Sequence, residues 1–205
     1  MNIALFGATG GTGGHVLRQA LEQGHRVQVL VRDPAKLPAD RHGVTVIVGD
    51  CLDQAAVNDC VQGTDAVICI LGTRTGGRPI EADGTRTILA AMSAAGVRRL
   101  IAVTSMGVGD SADQMPFIFK VFMKITLKKV MAAKEEQEQL IRASTLDWTI
   151  VRPGGLTDGP RTGTYSAGVE KSIQARRVSR ADVAQFVLQQ LTDDRFVRQT
   201  PAISW

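Results

Sequence analysis

The amino-acid sequence predicts an α/β fold in which one doubly wound parallel sheet is covered by helices on both faces. Short runs rich in β-branched residues alternate with longer helix-compatible segments along all 205 residues. Several of the helical segments end in a glycine, the residue that helix C-caps favour. No repeat, low-complexity segment or linker rich in Pro, Gly and Ser divides the chain. We therefore expect a single domain over residues 1–205.

Each strand-like run is short and apolar, and each is followed by helix-compatible sequence. The runs read NIALF, RVQVLV, VTVIV, DAVICIL, RLIAVTS and WTIVRP in chain order. The helical segments read GGHVLRQALEQGH, DQAAVNDCVQG, DGTRTILAAMSAAG, a long stretch from about Met115 to Ala143, and SRADVAQFVLQQLTD. Ser179 is expected to cap the last helix. Strands that alternate with helices predict parallel pairing.

Composition and charge argue against several classes of protein. The chain carries a net charge of +4, but its basic residues are scattered, so nucleic acid is not an expected partner. No apolar run is long enough to span a membrane, and the first residues lack an export pattern, so we expect a cytoplasmic protein without stable membrane insertion. Cys51, Cys60 and Cys69 are expected to be reduced and buried, and no metal site is predicted. The oligomeric state stays open.

The first strand runs into the segment GATGGTG, in which Gly7, Gly10 and Gly13 recur at three-residue spacing. Glycine lets backbone N–H groups approach phosphate oxygens, and the next helix, expected to begin near Thr12, adds unpaired donors and the positive end of its dipole. Purely structural turns use glycine as well. A position between the first strand and a helix nevertheless predicts the pyrophosphate site of a Rossmann-like dinucleotide-binding domain. The residues of this predicted phosphate loop are Gly7, Thr9, Gly10, Gly11, Thr12 and Gly13.

The end of the second strand distinguishes the two nicotinamide dinucleotides. A carboxylate there binds the ribose 2′-OH of NAD, whereas cations bind the 2′-phosphate of NADP. Arg32 occupies this place and Lys36 follows it, so the sequence favours NADP(H). Asp33 leaves NAD as the alternative, and a solvated basic residue at a strand end is the purely structural interpretation.

The other strand ends supply the rest of a cleft, because ligands in such sheets bind beyond the carboxyl ends of the strands. The segment VGDCLD places Asp50 and Cys51 near an adenine, and LGTR offers a close backbone approach at Gly72. The segment VTSMG presents Thr104 and Ser105, and RPGGL follows the sixth strand. Each segment alone is also compatible with ordinary turn chemistry. Together they predict a dinucleotide cleft.

Several longer segments of the sequence carry a family resemblance: they read FGATGGTG, VLVRDPAKLP, IVGD, DAVICILGTR, VTS, LDWTIVRPGGL, RTGTY and RRVSRADVAQFVL. They resemble the atypical short-chain dehydrogenase/reductase group with NmrA-like NAD(P) binding, and within it the biliverdin-IXβ reductase or flavin reductase family. The resemblance implies an NADPH-binding reductase. By position, the resemblance implies that the phosphate loop contacts the pyrophosphate and that Arg32 and Lys36 contact the 2′-phosphate. It implies that Asp50 and Cys51 contact the adenine, and that the central ribose region lies against Leu71, Gly72 and Thr73. The residues that it implies beside the nicotinamide are Ser105, Pro153, Gly154 and Leu156.

The chain departs from the wider superfamily in lacking its Tyr-x-x-x-Lys acid/base pair. Its one tyrosine, Tyr165, has Val169 four residues on, and Lys134 has Val130 where the tyrosine would stand. Reduction of a ketone creates an alkoxide that needs a positioned acid, whereas a conjugated acceptor spreads the charge and solvent can protonate it. The sequence therefore predicts a flavin such as FMN, a quinone or an open-chain tetrapyrrole as the small-molecule acceptor.

Ser105 and Lys134 are the candidate catalytic residues. Ser105 is expected to hydrogen-bond the nicotinamide or the substrate edge, and Lys134 to stabilise negative charge, while orientation of the cofactor supplies most of the acceleration. The structural alternatives are a strand-end hydroxyl bonded to backbone for Ser105 and a surface residue beside Glu138 for Lys134.

An amphipathic helix with a lysine stripe is predicted within residues 115–140, where Lys120, Lys124 and Lys128 recur on an apolar pattern. Core packing with snorkelling lysines is the favoured interpretation, a lid over a flat acceptor is the next, and a membrane-surface helix is the third. For the whole chain, an NADPH-dependent reductase and a non-catalytic NADP(H) sensor that acts through a protein partner both remain open. The absence of an added interaction segment favours the reductase.

Overall fold

A computed structural model describes residues 1–73, 77–114 and 128–205. Its strands are β1 Asn2–Phe6, β2 Arg26–Val31, β3 Val44–Val48, β4 Ala66–Cys69, β5 Arg99–Val103, β6 Asp147–Pro153, β7 Gly155–Thr157, β8 Ser166–Gly168, β9 Arg177–Ser179 and β10 Ala202–Ser204. Its α-helices are α1 Gly11–Glu22, α2 Gln54–Val61, α3 Glu81–Ala95, α4 Lys128–Ala143 and α5 Arg180–Gln189.

The main sheet has eight strands in the order β3-β2-β1-β4-β5-β6-β10-β8, and β7 and β9 form a separate parallel pair. Within the main sheet β8 is antiparallel to β10, whereas the other pairs are parallel. From β1 the chain extends the sheet first through β2 and β3 and then, on the other side, through β4, β5 and β6. The carboxyl ends of β1 and β4 therefore flank the topological switch point. The predicted doubly wound parallel sheet is confirmed.

The core lies in two layers, one on each face of the sheet. Along β1, Ile3 and Leu5 pack into the layer that α1 and α5 cover, whereas Ala4 and Phe6 pack into the layer of α2, α3 and α4. All four side chains are buried. Burial on both faces explains why central strands such as β1 and β4 read as continuous apolar runs.

The observed elements differ from the predicted ones mainly at their ends. Helix α1 begins at Gly11, one residue before the predicted Thr12, and α3 begins at Glu81, two residues before the predicted Asp83. Ser179 caps α5 as predicted, because its Oγ accepts a hydrogen bond from Asp182 N at 2.9 Å. The predicted helix over 115–143 is observed as α4 from Lys128. Residues 115–127, which include Lys120 and Lys124, lie outside the described residues. The hypothesis that this segment forms a lid therefore stays a prediction.

The three cysteines are free and buried. Burial raises the pKa of Cys51, with a smaller contribution from Asp50, and that of Cys60, each to about 12. Both thiols are therefore protonated at neutral pH and poorly nucleophilic. Within the described ranges, no helix is long and apolar enough to cross a membrane and no group of His, Cys, Asp and Glu could hold a metal ion.

Asp182 ties α5 to two distant segments. Its buried carboxylate accepts hydrogen bonds from Thr162 N and Oγ1 at 2.8 and 2.9 Å, from Gly163 N at 2.9 Å, from Ser179 Oγ at 2.9 Å and from Trp205 Nε1 at 3.2 Å. Burial disfavours the charged form, but the hydrogen bonds outweigh burial and hold the pKa of Asp182 below its usual range.

Asp182→Asn is expected to lower the free energy of unfolding by about 1–3 kcal/mol at neutral pH, because an amide donor then faces groups that need an acceptor. A carboxyl group with a lowered folded-state pKa stabilises the fold above its unfolded pKa, and the stabilisation is lost as the pH falls through the folded value. The difference between wild type and variant should therefore shrink below about pH 4. Urea unfolding across this pH range measures it, and a difference that stays constant would contradict the assignment.

Candidate functional site

A cleft of about 670 Å³ lies along the carboxyl edge of the main sheet, over the switch point between β1 and β4. Its walls come from the segments that follow β1 to β5, from the first turn of α1, from Lys134 on α4, and from Leu156 on β7 and Arg180 on α5. Most of the residues predicted from the sequence meet here: Gly7, Thr9, Gly10, Gly11, Thr12, Gly13, Arg32, Lys36, Asp50, Cys51, Leu71, Gly72, Thr73, Thr104, Lys134 and Leu156.

The phosphate loop leaves no room for side chains at two of its glycines. Gly7 has φ +91°, and a Cβ there would lie 2.3 Å from the carbonyl oxygen of Ile70. A Cβ on Gly13 would lie 2.0 Å from the carbonyl oxygen of Gly7. The N-cap of α1, Gly10, makes no side-chain cap bond, and the first turn contains no acidic residue. The start of α1 thus presents its N–H groups and its positive dipole end to the cleft, an arrangement that fits an anion.

Two exposed cations lie at the β2 end of the cleft. The side chains of Arg32 and Lys36 are 72% and 58% exposed. Arg32 Nη1 lies 3.9 Å from Asp50 Oδ2, and Lys36 Nζ lies 3.3 Å from Asp33 Oδ2. Asp33 also caps its own short turn by accepting from Ala35 N at 3.1 Å, and this bond, together with Lys36, holds its pKa below the usual range. The Asp33 carboxylate is therefore engaged locally, while both cations can reach an anion.

The loop after β4 is fixed by Glu81, the first residue of α3. The fully buried Glu81 carboxylate accepts from Thr73 N at 2.9 Å, from Thr73 Oγ1 at 2.6 Å and from Ile80 N at 3.0 Å. These bonds hold the backbone of Leu71, Gly72 and Thr73 against the middle of the cleft. Glu81 is not among the residues predicted from the sequence, because its only local signal is that of an acidic residue in the first turn of a helix. Arg74, at the end of the LGTR segment, lies outside the described residues.

Lys134 and Thr104 form the wall of the cleft at the end of β5. The half-buried Lys134 donates from Nζ to the Thr104 carbonyl oxygen at 3.4 Å. Burial lowers the pKa of Lys134, although the carboxylates of Glu81 and Glu138 partly oppose the shift. A lysine with a lowered pKa gives up its proton more readily than an exposed one.

A buried ion pair holds this wall in place from behind. Arg152 Nε and Nη2 donate to the two oxygens of Glu138 at 2.9 and 2.6 Å, and both side chains are 4% exposed. Thr104 Oγ1 donates to the same carboxylate at 2.8 Å, and Asp110 Oδ1 lies 2.7 Å from Arg152 Nη1. Helix α4, and Lys134 with it, is thereby fixed to the ends of β5 and β6. From the sequence, Glu138 was expected only to be a surface neighbour of Lys134.

Ser105, Pro153 and Gly154 do not line the cleft. Ser105 Oγ donates to the carbonyl oxygen of Met106 at 3.0 Å, the bond to backbone that the structural alternative describes. Met106 N donates to Pro153 O at 3.0 Å, and Gly154 N donates to Ile203 O at 3.0 Å. The backbone of Pro153 and Gly154 therefore joins the end of β6 to the neighbouring segments. The predicted contacts of Ser105, Pro153 and Gly154 with a nicotinamide remain predictions.

Tyr165 lies away from Lys134 and does not line the cleft. Its ring packs edge-on against Phe186 with centroids 6.0 Å apart, and its hydroxyl donates to Gln189 Oε1 at 3.3 Å. Both partners belong to α5. Since the sequence contains no other tyrosine, no phenol is available as an acid beside Lys134.

The chain is similar in sequence to a protein family and to several known proteins. Residues 7–194 match a family model described as NAD(P)H-binding. A (4-alkanoyl-5-oxo-2,5-dihydrofuran-3-yl)methyl phosphate reductase of Streptomyces griseus is 32% identical over 174 residues, which are 83% of this chain and 55% of that protein. An uncharacterised chloroplastic protein of Arabidopsis thaliana is 31% identical over 94% of this chain and 72% of its own. The chain thus spans little more than half the length of the Streptomyces reductase.

Two solved structures share the fold over the whole chain. ChuY, an anaerobillin reductase from Escherichia coli O157:H7, is 27% identical, with a TM-score of 0.83 and coverage of 100% of this chain and 97% of its own. A short-chain dehydrogenase/reductase from Veillonella parvula, solved in complex with NADP, is 20% identical, with a TM-score of 0.87 and coverage of 100% and 94%. At that identity the second likeness concerns the fold alone.

Proposed function

The chain belongs to the NAD(P)H-binding family, and on that premise we propose that it is an NADPH-dependent reductase of a conjugated small-molecule acceptor. One observation carries the proposal: a single cleft has Arg32 and Lys36 at one end and Lys134, without a tyrosine, at the other. The first feature suits a 2′-phosphate, and the second suits an acceptor that delocalises charge.

Arg32 and Lys36 favour NADPH over NADH because they offer a multi-donor guanidinium and a mobile ammonium to a phosphate. Their present ionic partners are weak, since both pairs are exposed to solvent. Asp33, which would suit a ribose 2′-OH, is held by its own turn and by Lys36. Replacing these partners by a phosphate dianion therefore costs little.

The remaining cleft residues orient the two reactants. The backbone of Gly11, Thr12 and Gly13 at the start of α1 is assigned to the pyrophosphate, and the segment from Leu71 to Thr73, held by Glu81, to the ribose beyond it. The bound cofactor supplies the hydride. Lys134, which Thr104 and, through it, Glu138 position at the β5 end of the cleft, stabilises the negative charge that reduction places on the acceptor.

A flavin such as FMN, a quinone or an open-chain tetrapyrrole is the proposed acceptor class. Each spreads the added electrons over a conjugated system, so that no strong acid is needed at a single oxygen. The names of two relatives, a furanone phosphate reductase and an anaerobillin reductase, support reduction of a small organic molecule.

Arg32→Ala is expected to raise the KM for NADPH about 10- to 100-fold and to leave the KM for NADH nearly unchanged. The increase corresponds to the loss of a charge-assisted contact that contributes about 1.5–3 kcal/mol. The measurement is the oxidation of each dinucleotide with FMN, riboflavin, a small quinone and biliverdin as acceptors. Arg26→Ala is the matched control, because Arg26 is an exposed arginine at the opposite end of β2.

An equal effect of Arg32→Ala on both dinucleotides would contradict the 2′-phosphate assignment. Tight binding of NADPH without reduction of any acceptor would overturn the reductase and favour the non-catalytic NADP(H) sensor instead.

A further inference from the structure

Arg180 is a cleft residue that neither the sequence analysis nor the proposed function uses. It is the first residue of α5, and its side chain lies against Gly11, the first residue of α1. A Cβ added to Gly11 would lie 2.9 Å from both Cδ and Nε of Arg180. Gly11 therefore leaves the space that lets this guanidinium reach the start of α1.

The register of the small β7–β9 sheet determines where Arg180 lies. Leu156 pairs with Val178 and Thr157 pairs with Ser179 in parallel. The next residues along the two strands are Asp158 and Arg180. Arg180 Nη1 donates to Asp158 Oδ1 at 2.6 Å. The pair thus caps the end of the sheet that also brings Leu156 to the cleft.

The electrostatics of this position are unfavourable for a cation unless an anion is present. Arg180 follows the N-cap Ser179 of α5 and lies over the first turn of α1, so it is near the positive ends of two helix dipoles. The start of α1 and Arg180 together form a concentrated positive site.

The present partner of Arg180 is easily exchanged. The Asp158 side chain is 88% exposed, whereas that of Arg180 is 26% exposed. An ion pair with one partner in solvent contributes about 0–1 kcal/mol, so a ligand anion with more charge can displace the carboxylate. The partly buried arginine stays in place while the aspartate can turn into water.

We propose that Arg180 binds the pyrophosphate of the dinucleotide beside Gly11 of the phosphate loop, and that it exchanges Asp158 for the phosphate oxygens when it does so. Arg180 then completes the phosphate site and links it to the β7–β9 sheet, whose Leu156 lies in the same cleft. The inference rests on the proposed binding of NADP(H). It differs from the role of Arg32, because the pyrophosphate is common to NADPH and NADH whereas the 2′-phosphate is not.

The experiment is a set of calorimetric titrations of the full chain and its variants with NADPH, NADH, ADP-ribose and adenosine 2′-monophosphate. Arg180→Ala is expected to raise the Kd of NADPH, NADH and ADP-ribose alike by about 10-fold. The Kd of adenosine 2′-monophosphate, which has no pyrophosphate, should stay unchanged. Arg180→Lys should recover part of the loss. Asp158→Asn removes the competing carboxylate and is expected to lower the Kd of the three pyrophosphate ligands about 2-fold.

Arg32→Ala serves as the comparison, because the opposite pattern is expected. It should raise the Kd of NADPH and adenosine 2′-monophosphate and leave the Kd of NADH and ADP-ribose unchanged. Unchanged Kd values in both Arg180→Ala and Asp158→Asn would overturn the role of Arg180 and leave the proposed function standing. A loss in Arg180→Ala that also affects adenosine 2′-monophosphate would overturn it too, because it would indicate a general disturbance of the cleft. Failure of the wild type to bind either dinucleotide would overturn the proposed function and the inference with it.

Discussion

Glu138→Ala is expected to lower the free energy of unfolding by about 3–5 kcal/mol, because it leaves the Arg152 guanidinium buried without its main partner. Two hydrogen bonds from Arg152, one from Thr104 and a longer one from Arg142 end on the lost carboxylate. Asp110 remains near Arg152 but is 65% exposed, so it compensates only weakly. The same substitution frees Thr104 Oγ1 and removes the group that fixes Lys134 in register with β5.

Urea unfolding of wild type, Glu138→Ala and Glu135→Ala measures this effect. Glu135 lies on the same helix and is exposed, so its substitution should change the free energy of unfolding by less than about 0.5 kcal/mol. The double variant Glu138→Met with Arg152→Leu removes both charges and is expected to recover most of the loss, since an apolar pair avoids the desolvation cost. A loss below about 1 kcal/mol in Glu138→Ala would show that the pair does not behave as a buried ion pair.

The main sheet could be predicted from the sequence because its central strands are buried on both faces. Runs such as NIALF and DAVICIL are then apolar at successive positions, and the helices between them show as longer segments of different pattern. Strands β7 to β10 gave no such signal. Each has three residues, too few for a period, and each exists because a partner distant in sequence lies beside it.

The same distinction explains which parts of the cleft the sequence revealed. The glycines from Gly7 to Gly13 and the cation Arg32 follow strand ends directly, so local order was enough to place them. Glu138 and Arg180 act through residues that are far away along the chain, Arg152 on β6 in one case and Gly11 on α1 in the other. A single sequence does not show which charged residue is buried or which turn it faces. Their roles follow only from the three-dimensional arrangement.

Gly13→Ala is expected to reduce dinucleotide affinity about 10- to 100-fold and to lower the free energy of unfolding by about 1–3 kcal/mol. The new Cβ would lie 2.0 Å from the oxygen and 2.7 Å from the carbon of the Gly7 carbonyl. Both atoms belong to backbone, so the phosphate loop itself must move away from α1. A displaced loop no longer presents the first-turn N–H groups at the distance that phosphate oxygens require.

Gly14→Ala is the matched control, because it makes the same chemical change one residue further along α1. Its Cβ would meet the Ala8 carbonyl oxygen at 3.7 Å, an ordinary contact. Alanine in a helix is favoured over glycine by about 0.5–1 kcal/mol, so this variant is expected to be more stable than wild type and to keep its affinity for NADPH. In urea unfolding the two variants should therefore change the free energy of unfolding in opposite directions, and in titration with NADPH only Gly13→Ala should lose affinity. Equal affinity in both would mean that the close approach of α1 to the Gly7 carbonyl is not needed for binding, and the pyrophosphate would then have to be held chiefly by the Arg180 side chain.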